Sequence, residues 1–371
     1  MIEIVLKKLI ENIKFSKKPG LIIASPSDDP PYKYHWIRDS ALVMRVIIDM
    51  YQKTQEDKYL KLIFDYIESE DKIQNLNTLT GLGEPKIKID GTCYNEPWGR
   101  PQNDGPALRG INMIRIYKIL KDNYESICNK IIKNIIIRDI NYIIENYKKV
   151  SFDLWEEIIG WHFYTRVVQI KFIKEYINLK NELDEFKLEN ICLEDIYNVY
   201  LKNLEHHNSH DDIISSFNKE GNIIRHYDAS ILLCLNHVEY DIDIMKISSY
   251  ERVLKVANNL LISFRNKYDL KDLNLIGRYE GDKYYGGQTW IICSLALVQF
   301  YKKLLKLNKN NFFDKYFNMF KKKIDDIINE ILSIDSNLDI AEQYNPITKE
   351  QISAKKLTWN YSELYFTLSN N

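Results

Sequence analysis

"RVIIDMYQKTQEDKYLKLIFDYI", residues 45–67, decides the architecture. Val46, Ile47, Met50 and Tyr51 recur at three- and four-residue spacing, and the same period resumes at Tyr59, Leu60, Ile63 and Phe64. That spacing writes one buried face on an α-helix. Between the two runs, Lys53 to Gln55 is polar and long enough only to reverse the chain. The stretch therefore predicts two antiparallel helices joined by a tight turn.

The same period runs through most of the 371 residues, and strand-like alternation is scarce. It predicts helices over 3–15, 39–53, 56–70, 104–121, 126–148, 155–177, 190–204, 227–237, 249–267, 287–307, 312–333 and 356–368. Asp39 and Asp104 each precede an apolar-periodic run and are expected as N-terminal caps. The links alternate in character. Those at 53–56, 121–126 and 307–312 are short and plain, whereas 16–38, 71–103, 149–154, 205–226, 268–286 and 334–355 carry Gly, Pro, Trp and acidic clusters. In a ring of helical hairpins every second link emerges at the same end. The decorated links should then meet at one mouth, where binding and chemistry sit. The expected fold is all-α, an (α/α)6 barrel of twelve helices forming a single domain over residues 1–371.

Composition narrows the functions. Hydrophobic residues make up 45%, enough for a large core, and 51 basic against 52 acidic residues give no field for a polyanion. No nucleic-acid partner is expected. Charges interrupt every apolar run, so no membrane span is expected either. "MIEIVLKKLIENIKF" reads as a first helix rather than a signal peptide, which favours an intracellular protein. Five scattered cysteines suit buried thiols and not a disulfide or zinc framework, with Cys128, Cys192, Cys234 and Cys293 expected at apolar helix positions. The triplet at Asn360 adjoins a site tryptophan and is not expected to be glycosylated. A monomer without cofactor or metal is expected.

The chemistry lies in the links. "FDLWEEIIGW" (152–161) sets Glu156 beside Glu157 between tryptophans. Inverting cleavage of a glycosidic bond needs two carboxyl groups roughly 6.5–9.5 Å apart, one giving a proton to the leaving oxygen and one deprotonating water. Adjacent residues at a helix start point about 100° apart and cannot be that pair. Glu342 in "DIAEQYNP" (339–346) is the candidate partner. Around them, "PYKYHWIRDS" (31–40), "CYNEPWGRPQNDGP" (93–106) and "GRYEGDKYYGGQTW" (277–290) mix aromatic residues with Arg and Asp. Sugars offer C–H faces to rings and hydroxyls to carboxylates and guanidinium forks.

These segments resemble the glucoamylases, glycoside hydrolase family 15, from about Ser25 to Tyr361. Five motifs follow the family's order: "YHWIRDSALV", "GLGEPK" with "WGRPQNDGPALR", "DLWEE", the "GRY", "YYGG" and Trp290 of 277–290, and "AEQY" with "SAKKLTW". The resemblance implies an (α/α)6 barrel and exo-hydrolysis of α-1,4-glucans or maltooligosaccharides, with slower α-1,6 cleavage and release of β-D-glucose. It implies Glu156 as general acid and Glu342 as general base. Arg38 and Asp39 would hold hydroxyls of the terminal glucose, with Tyr32 and Trp36 as its wall and Leu154 and Trp155 as further contacts. Glu157 and Arg278 would bind the next glucose. Trp98 would reach over the acid, Tyr284 and Trp290 would line the pocket, and Trp359 would lie near the base. Asp153 resembles the aspartate whose charge helps keep the acid protonated.

The chain also departs from the family. Gly160-Trp161-His162 stand where small polar residues are common, and Trp161 is expected to alter the outer subsites. Glu280-Gly281 replaces a proline followed by an acid, and the loss of a subsite contact is expected. Asp228 and His237 keep a family-like spacing. No linker or starch-binding module is apparent, which favours soluble maltooligosaccharides or glycogen as substrate. "EHHNSHDD" (205–212) gathers histidines and aspartates, but its spacing matches no common zinc pattern, so a polar loop is expected. Two alternatives stand beside hydrolysis of α-glucans. One is a non-catalytic glucan-binding protein, such as the glucoamylase-like regions of phosphorylase kinase regulatory subunits. The other is a relative acting on trehalose or dextran.

Overall fold

A computed structural model describes residues 1–182, 192–209, 211–307 and 316–369. Its helices are α1 (Ile2–Ile13), α2 (Ile37–Thr54), α3 (Asp57–Ile73) and α4 (Asp104–Leu120). Then α5 (Glu125–Lys130) runs through a π-helical stretch, Ile131–Ile136, into α6 (Ile137–Asn146). The remainder are α7 (Phe163–Glu182), α8 (Leu193–Glu205), α9 (Ser230–His237), α10 (Ile242–Ser248), α11 (Tyr250–Tyr268), α12 (Ile291–Leu307), α13 (Phe317–Ser333) and α14 (Thr358–Ser369).

Helices α2, α4, α7, α9, α12 and α14 touch in that order, and α14 closes back on α2. A second ring lies outside: α1 packs on α14, α3 on α2, α6 on α4, α8 on α7, α11 on α9 and α13 on α12. This is the (α/α)6 barrel, with α5 to α6 as one interrupted rod and α10 as a short addition. Burial explains who goes where. An inner helix is covered all round, so α12 buries every residue from Ile291 to Val298. An outer helix buries one stripe, as α13 does with Phe320, Ile324, Ile327 and Ile331.

The hairpin at 45–67 turns where its polar tripeptide falls. Gln55 takes a left-handed φ of 54° and donates its N–H to the Tyr51 carbonyl, closing α2. Several boundaries differ from expectation. Asp39 and Asp104 lie inside the first turns of their helices rather than capping them, and neither cap residue, Trp36 or Asn103, makes a side-chain cap bond. The helix expected from 155 begins only at Phe163, because Asp153 Oδ1 accepts the N–H groups of Glu157 and Ile158 at 2.8 and 3.0 Å. Such a side-chain bond competes with helix formation. Residues 159–162 instead form a strand in a four-stranded antiparallel sheet with 151–152, 216–217 and 223–225. Likewise α9 starts at Ser230, whose N–H is held by Asp228 Oδ1 at 2.7 Å. α12 starts after a two-residue strand, Thr289–Trp290.

The expected helix starts at 190 and 312, and the link at 307–312 beyond Leu307, lie outside the described residues. Cys128, Cys234 and Cys293 are buried thiols, but Cys192 is exposed at the start of α8 rather than on an apolar face. Asn360 is fully buried, with its amide on the Ala341 carbonyl. Among the described residues no helix is long and apolar enough to cross a membrane.

Candidate active site

The chain enters each inner helix at one end of the barrel, so the six preceding links meet there. Five of them, all but the one before α9, line a cavity of about 400 Å³. Tyr32, Trp36, Arg38 and Asp39 come to it from the link before α2, and Trp98 from the link before α4. Leu154, Trp155, Glu156 and Glu157 arrive from the link before α7, and Arg278, Tyr284 and Trp290 from that before α12. Glu342 and Trp359 complete it from the last link and the start of α14. Asp153 lies behind this wall.

Glu156 sits at a left-handed φ of 66°, the turn that the two bonds to Asp153 impose. Its Oε1 accepts from Trp36 Nε1 at 2.7 Å, Gln102 Nε2 at 2.9 Å and Arg38 Nη2 at 3.4 Å. Its Oε2 accepts from Trp98 Nε1 at 2.8 Å. Gly99 permits that reach: a Cβ there would come 2.7 Å from the Glu156 carbonyl oxygen.

Glu342 is buried, and that burial lifts its carboxyl to about 7. Opposing it are the Ser353 hydroxyl, which donates to Oε2 at 2.5 Å, the charge of Arg278 and a bond from Tyr32. Tyr32 in turn shares its hydroxyl with that of Tyr284 at 2.9 Å. A carboxylate that activates water must be ionised, and burial works against that.

Arg38 and Asp39 form the closed inner end. Arg38 Nη1 donates to Gln102 at 2.8 Å and to Asp104 at 3.1 Å, and its Nε lies 3.4 Å from Asp39 Oδ1. Burial raises Asp39 to about 6 against the pull of Arg38. Arg38 Nε, Asp39 Oδ1 and the Trp290 indole nitrogen are buried with no hydrogen-bond partner. Groups of this kind cost about 1–3 kcal/mol each unless something supplies the missing bond.

Beside Glu156, Glu157 is gripped by Arg278 at 2.6 Å, Arg225 at 2.8 Å and the Tyr279 hydroxyl at 2.5 Å. Arg278 is itself locked by Asp282 at 2.6 and 2.8 Å. Arg225 also binds Asp153 at 2.6 Å, and Asp228, to which Trp155 donates at 3.0 Å, lies 3.4 Å away. Asp153 therefore braces the loop, bonded to two of its N–H groups and paired with Arg225. Trp359 donates to Glu363 at 3.0 Å, a buried carboxylate beside Arg45 and His237. The 2.5 Å donation fixes Ser353 next to Glu342, while Gln102 and Arg225 hold the other carboxylates. The sequence reading did not single these three out; each lies within or beside a segment quoted for its neighbours. Lys86 was also missed. It is buried with Nζ 3.0 to 4.6 Å from the ring centres of Trp98, Tyr94, Trp36 and Tyr34, and burial lowers it to about 8. It closes the quoted motif "GLGEPK", which was its only mark in the sequence.

The departures resolve differently. Trp161 does not line this cavity; it belongs to a separate one, described below. Glu280-Gly281 makes the turn, with Gly281 at φ 80°, that returns Asp282 to Arg278. In the 205–212 loop His207 is buried on the Ile214 carbonyl and Asp212 pairs with Lys255, while His210 lies outside the described residues. No group of three metal-ligating side chains occurs among the described residues.

Comparison with known proteins agrees with this arrangement. The model of glycosyl hydrolases family 15 matches residues 2–365. A stretch of 194 residues is 40% identical to Glucoamylase-1 of Arthroderma benhamiae, covering 48% of this chain and 32% of that protein. The probable glucoamylase of Schizosaccharomyces pombe is 29% identical over 93% of this chain and 83% of its own. Glucoamylase S2 of Saccharomyces cerevisiae is matched over only 41% of its length, so the chain spans well under half of two of these relatives. The solved glucoamylase of Saccharomycopsis fibuligera superposes with a TM-score of 0.87 at 25% identity, over 100% of this chain and 93% of that one. That of Hormoconis resinae also gives 0.87, at 26% identity, over 99% and 72%. The chain belongs to glycosyl hydrolase family 15.

Proposed function

We propose that the protein is an exo-acting glucan 1,4-α-glucosidase that releases β-D-glucose from nonreducing ends of α-1,4-linked chains, with slower α-1,6 cleavage. The observation that carries this reading is the meeting of Glu156 and Glu342, far apart in sequence, in one cavity that Arg38 and Asp39 also line. A terminal glucose would fill the inner end, its hydroxyls meeting the Arg38 and Asp39 side chains that line it. Glu156 would give its proton to the bridging oxygen as the bond to the anomeric carbon breaks. Glu342 would take a proton from a water attacking that carbon from the opposite face, so configuration inverts. Glu157 and Arg278 would hold the next sugar. Trp98 and Tyr285 are the open rim, 38% and 42% exposed, where the rest of the chain would leave. A pocket closed at one end accepts only chain termini.

Proton NMR of fresh product from maltotriose tests the reading directly. β-Glucose is expected as the first anomer, relaxing to the mixture with time. α-Glucose first would rule out inversion, and release from trehalose in preference to maltose would reassign the substrate.

A further inference from the structure

A second cavity, of about 590 Å³, lies outside the catalytic one and shares no lining residue with it. Its walls include Tyr147, Trp161 and Phe217, and its polar lining includes Arg166, Lys148 and His206. Among the described residues no carboxylate lines it. Arg166 is the unusual member. It is only 7% exposed, yet among the described residues no acid pairs with it. Its Nη1 donates to the Tyr147 carbonyl at 2.8 Å, and its guanidinium lies 4.5 Å from the Trp161 ring centre and 5.2 Å from that of Tyr200. Burial lowers its pKa, with only Tyr200 opposing.

A buried guanidinium is normally matched by a carboxylate, because a lone charge out of water costs several kcal/mol. Every other arginine placed in this barrel's interior follows that rule: Arg38 has Asp104, Arg45 has Glu363, Arg109 has Asp139 and Glu70, Arg278 has Asp282. Arg166 has ring faces and a carbonyl instead, beside two further groups that carry or can carry positive charge. His207, behind it, accepts no part of that charge: it is buried, lowered to about 3 and neutral. Such a field selects an anion, and the fork of a guanidinium suits phosphate oxygens. The volume falls in the range of small-molecule sites, and the flanking rings suit a body of sugar size.

We propose that this cavity binds a phosphate monoester carried on a sugar-sized body, with Arg166 as the principal anion contact, Lys148 and His206 at the rim, and Trp161 as the wall. The site would stand apart from hydrolysis yet abut its machinery, since Trp161 lies in the strand 159–162 that continues from the Glu156 loop.

The test is phosphorus NMR titration of the full chain with glucose 6-phosphate, inorganic phosphate alone, and glucose 6-phosphate in excess glucose. Saturable broadening by glucose 6-phosphate is expected, unaffected by glucose, which would occupy the catalytic cavity. Arg166→Gln should weaken it at least about tenfold, and Lys148→Glu, an exposed change that leaves folding alone, should do likewise. No binding at about 10 mM ester overturns the proposal. So does displacement by glucose, or wild-type affinity in Lys148→Glu. Inorganic phosphate binding as tightly as the ester would remove the sugar-sized body from it.

Discussion

Ser353→Ala isolates one hydrogen bond on the proposed base. The Ser353 hydroxyl donates to Glu342 Oε2 at 2.5 Å and is the largest influence opposing the burial that lifts this carboxyl to about 7. A hydrogen bond to a charged group contributes about 1.5–3 kcal/mol. One pKa unit corresponds to about 1.4 kcal/mol. Arg278 and Tyr32 remain in place to stabilise the anion, so the lower end applies and Glu342 should rise by about one unit. The sign is fixed by its role. A base works only when ionised, so raising its pKa removes active enzyme at low pH.

The acid limb of kcat/KM, which reports the free enzyme, should therefore move up by about one unit. At a pH well below the limb the variant should run about tenfold slower than wild type, and on the plateau the two should agree. Initial rates of glucose release from maltose across the pH range measure this. An acid limb that stays put or moves down would refute the assignment of Glu342 as the ionised base, whatever happens to the plateau.

Other substitutions probe other supports. Trp98→Phe keeps the ring but removes the N–H on Glu156 Oε2, and kcat on maltose should fall roughly tenfold or more; a change confined to KM would contradict a role at the reacting oxygen. Arg225→Met leaves Asp153 and Asp228 buried without their cation, and urea unfolding should show a loss of about 3 kcal/mol; an unchanged midpoint would mean the loop is held otherwise. His207, ordinarily near 6.5, is lowered to about 3 by burial, so between these values the unfolded chain binds a proton that the native one refuses. Stability should therefore fall as pH falls through that window, by up to about 1.4 kcal/mol per unit from this group, and His207→Gln should flatten the slope.

How far the sequence reaches is clearest where it fails. Outer helices announce themselves, because one buried stripe against water leaves a three-and-four period. Inner helices are buried all round and lose that contrast, so their starts were placed by apolar runs alone. The error at 155–162 has a specific cause: Asp153 reaches forward to two backbone N–H groups and replaces the helix's first bonds. The pocket residues were legible because they lie in five short motifs. Their supports were not, since a partner such as Ser353 or Arg225 is fixed by where the barrel folds it and carries no local mark. Lys86 is the extreme case: four rings from the 34–36 and 94–98 stretches surround one ammonium, and no spacing rule connects them.

The hydrogen bonds around Glu156 also bear on which oxygen would act. Trp36, Gln102 and Arg38 all donate to Oε1, and none of these nitrogens can accept a proton back. A carboxylate oxygen has two lone pairs, so Oε1 has no place for a further hydrogen. Oε2 receives Trp98 alone and keeps one lone pair free. If Glu156 is the acid, the transferable proton sits on Oε2, and the bridging oxygen must bind on the Trp98 side. Exposure orders the cavity the same way: Arg38 is 4% exposed and Trp98 38%. A sugar seated on Arg38 and Asp39 then places its outgoing linkage towards the rim, under Oε2, with the rest of the chain beyond Trp98. On the proposed reading, the three donors that crowd Oε1 would leave Oε2 to give the proton, while the buried end at Arg38 would hold the chain terminus.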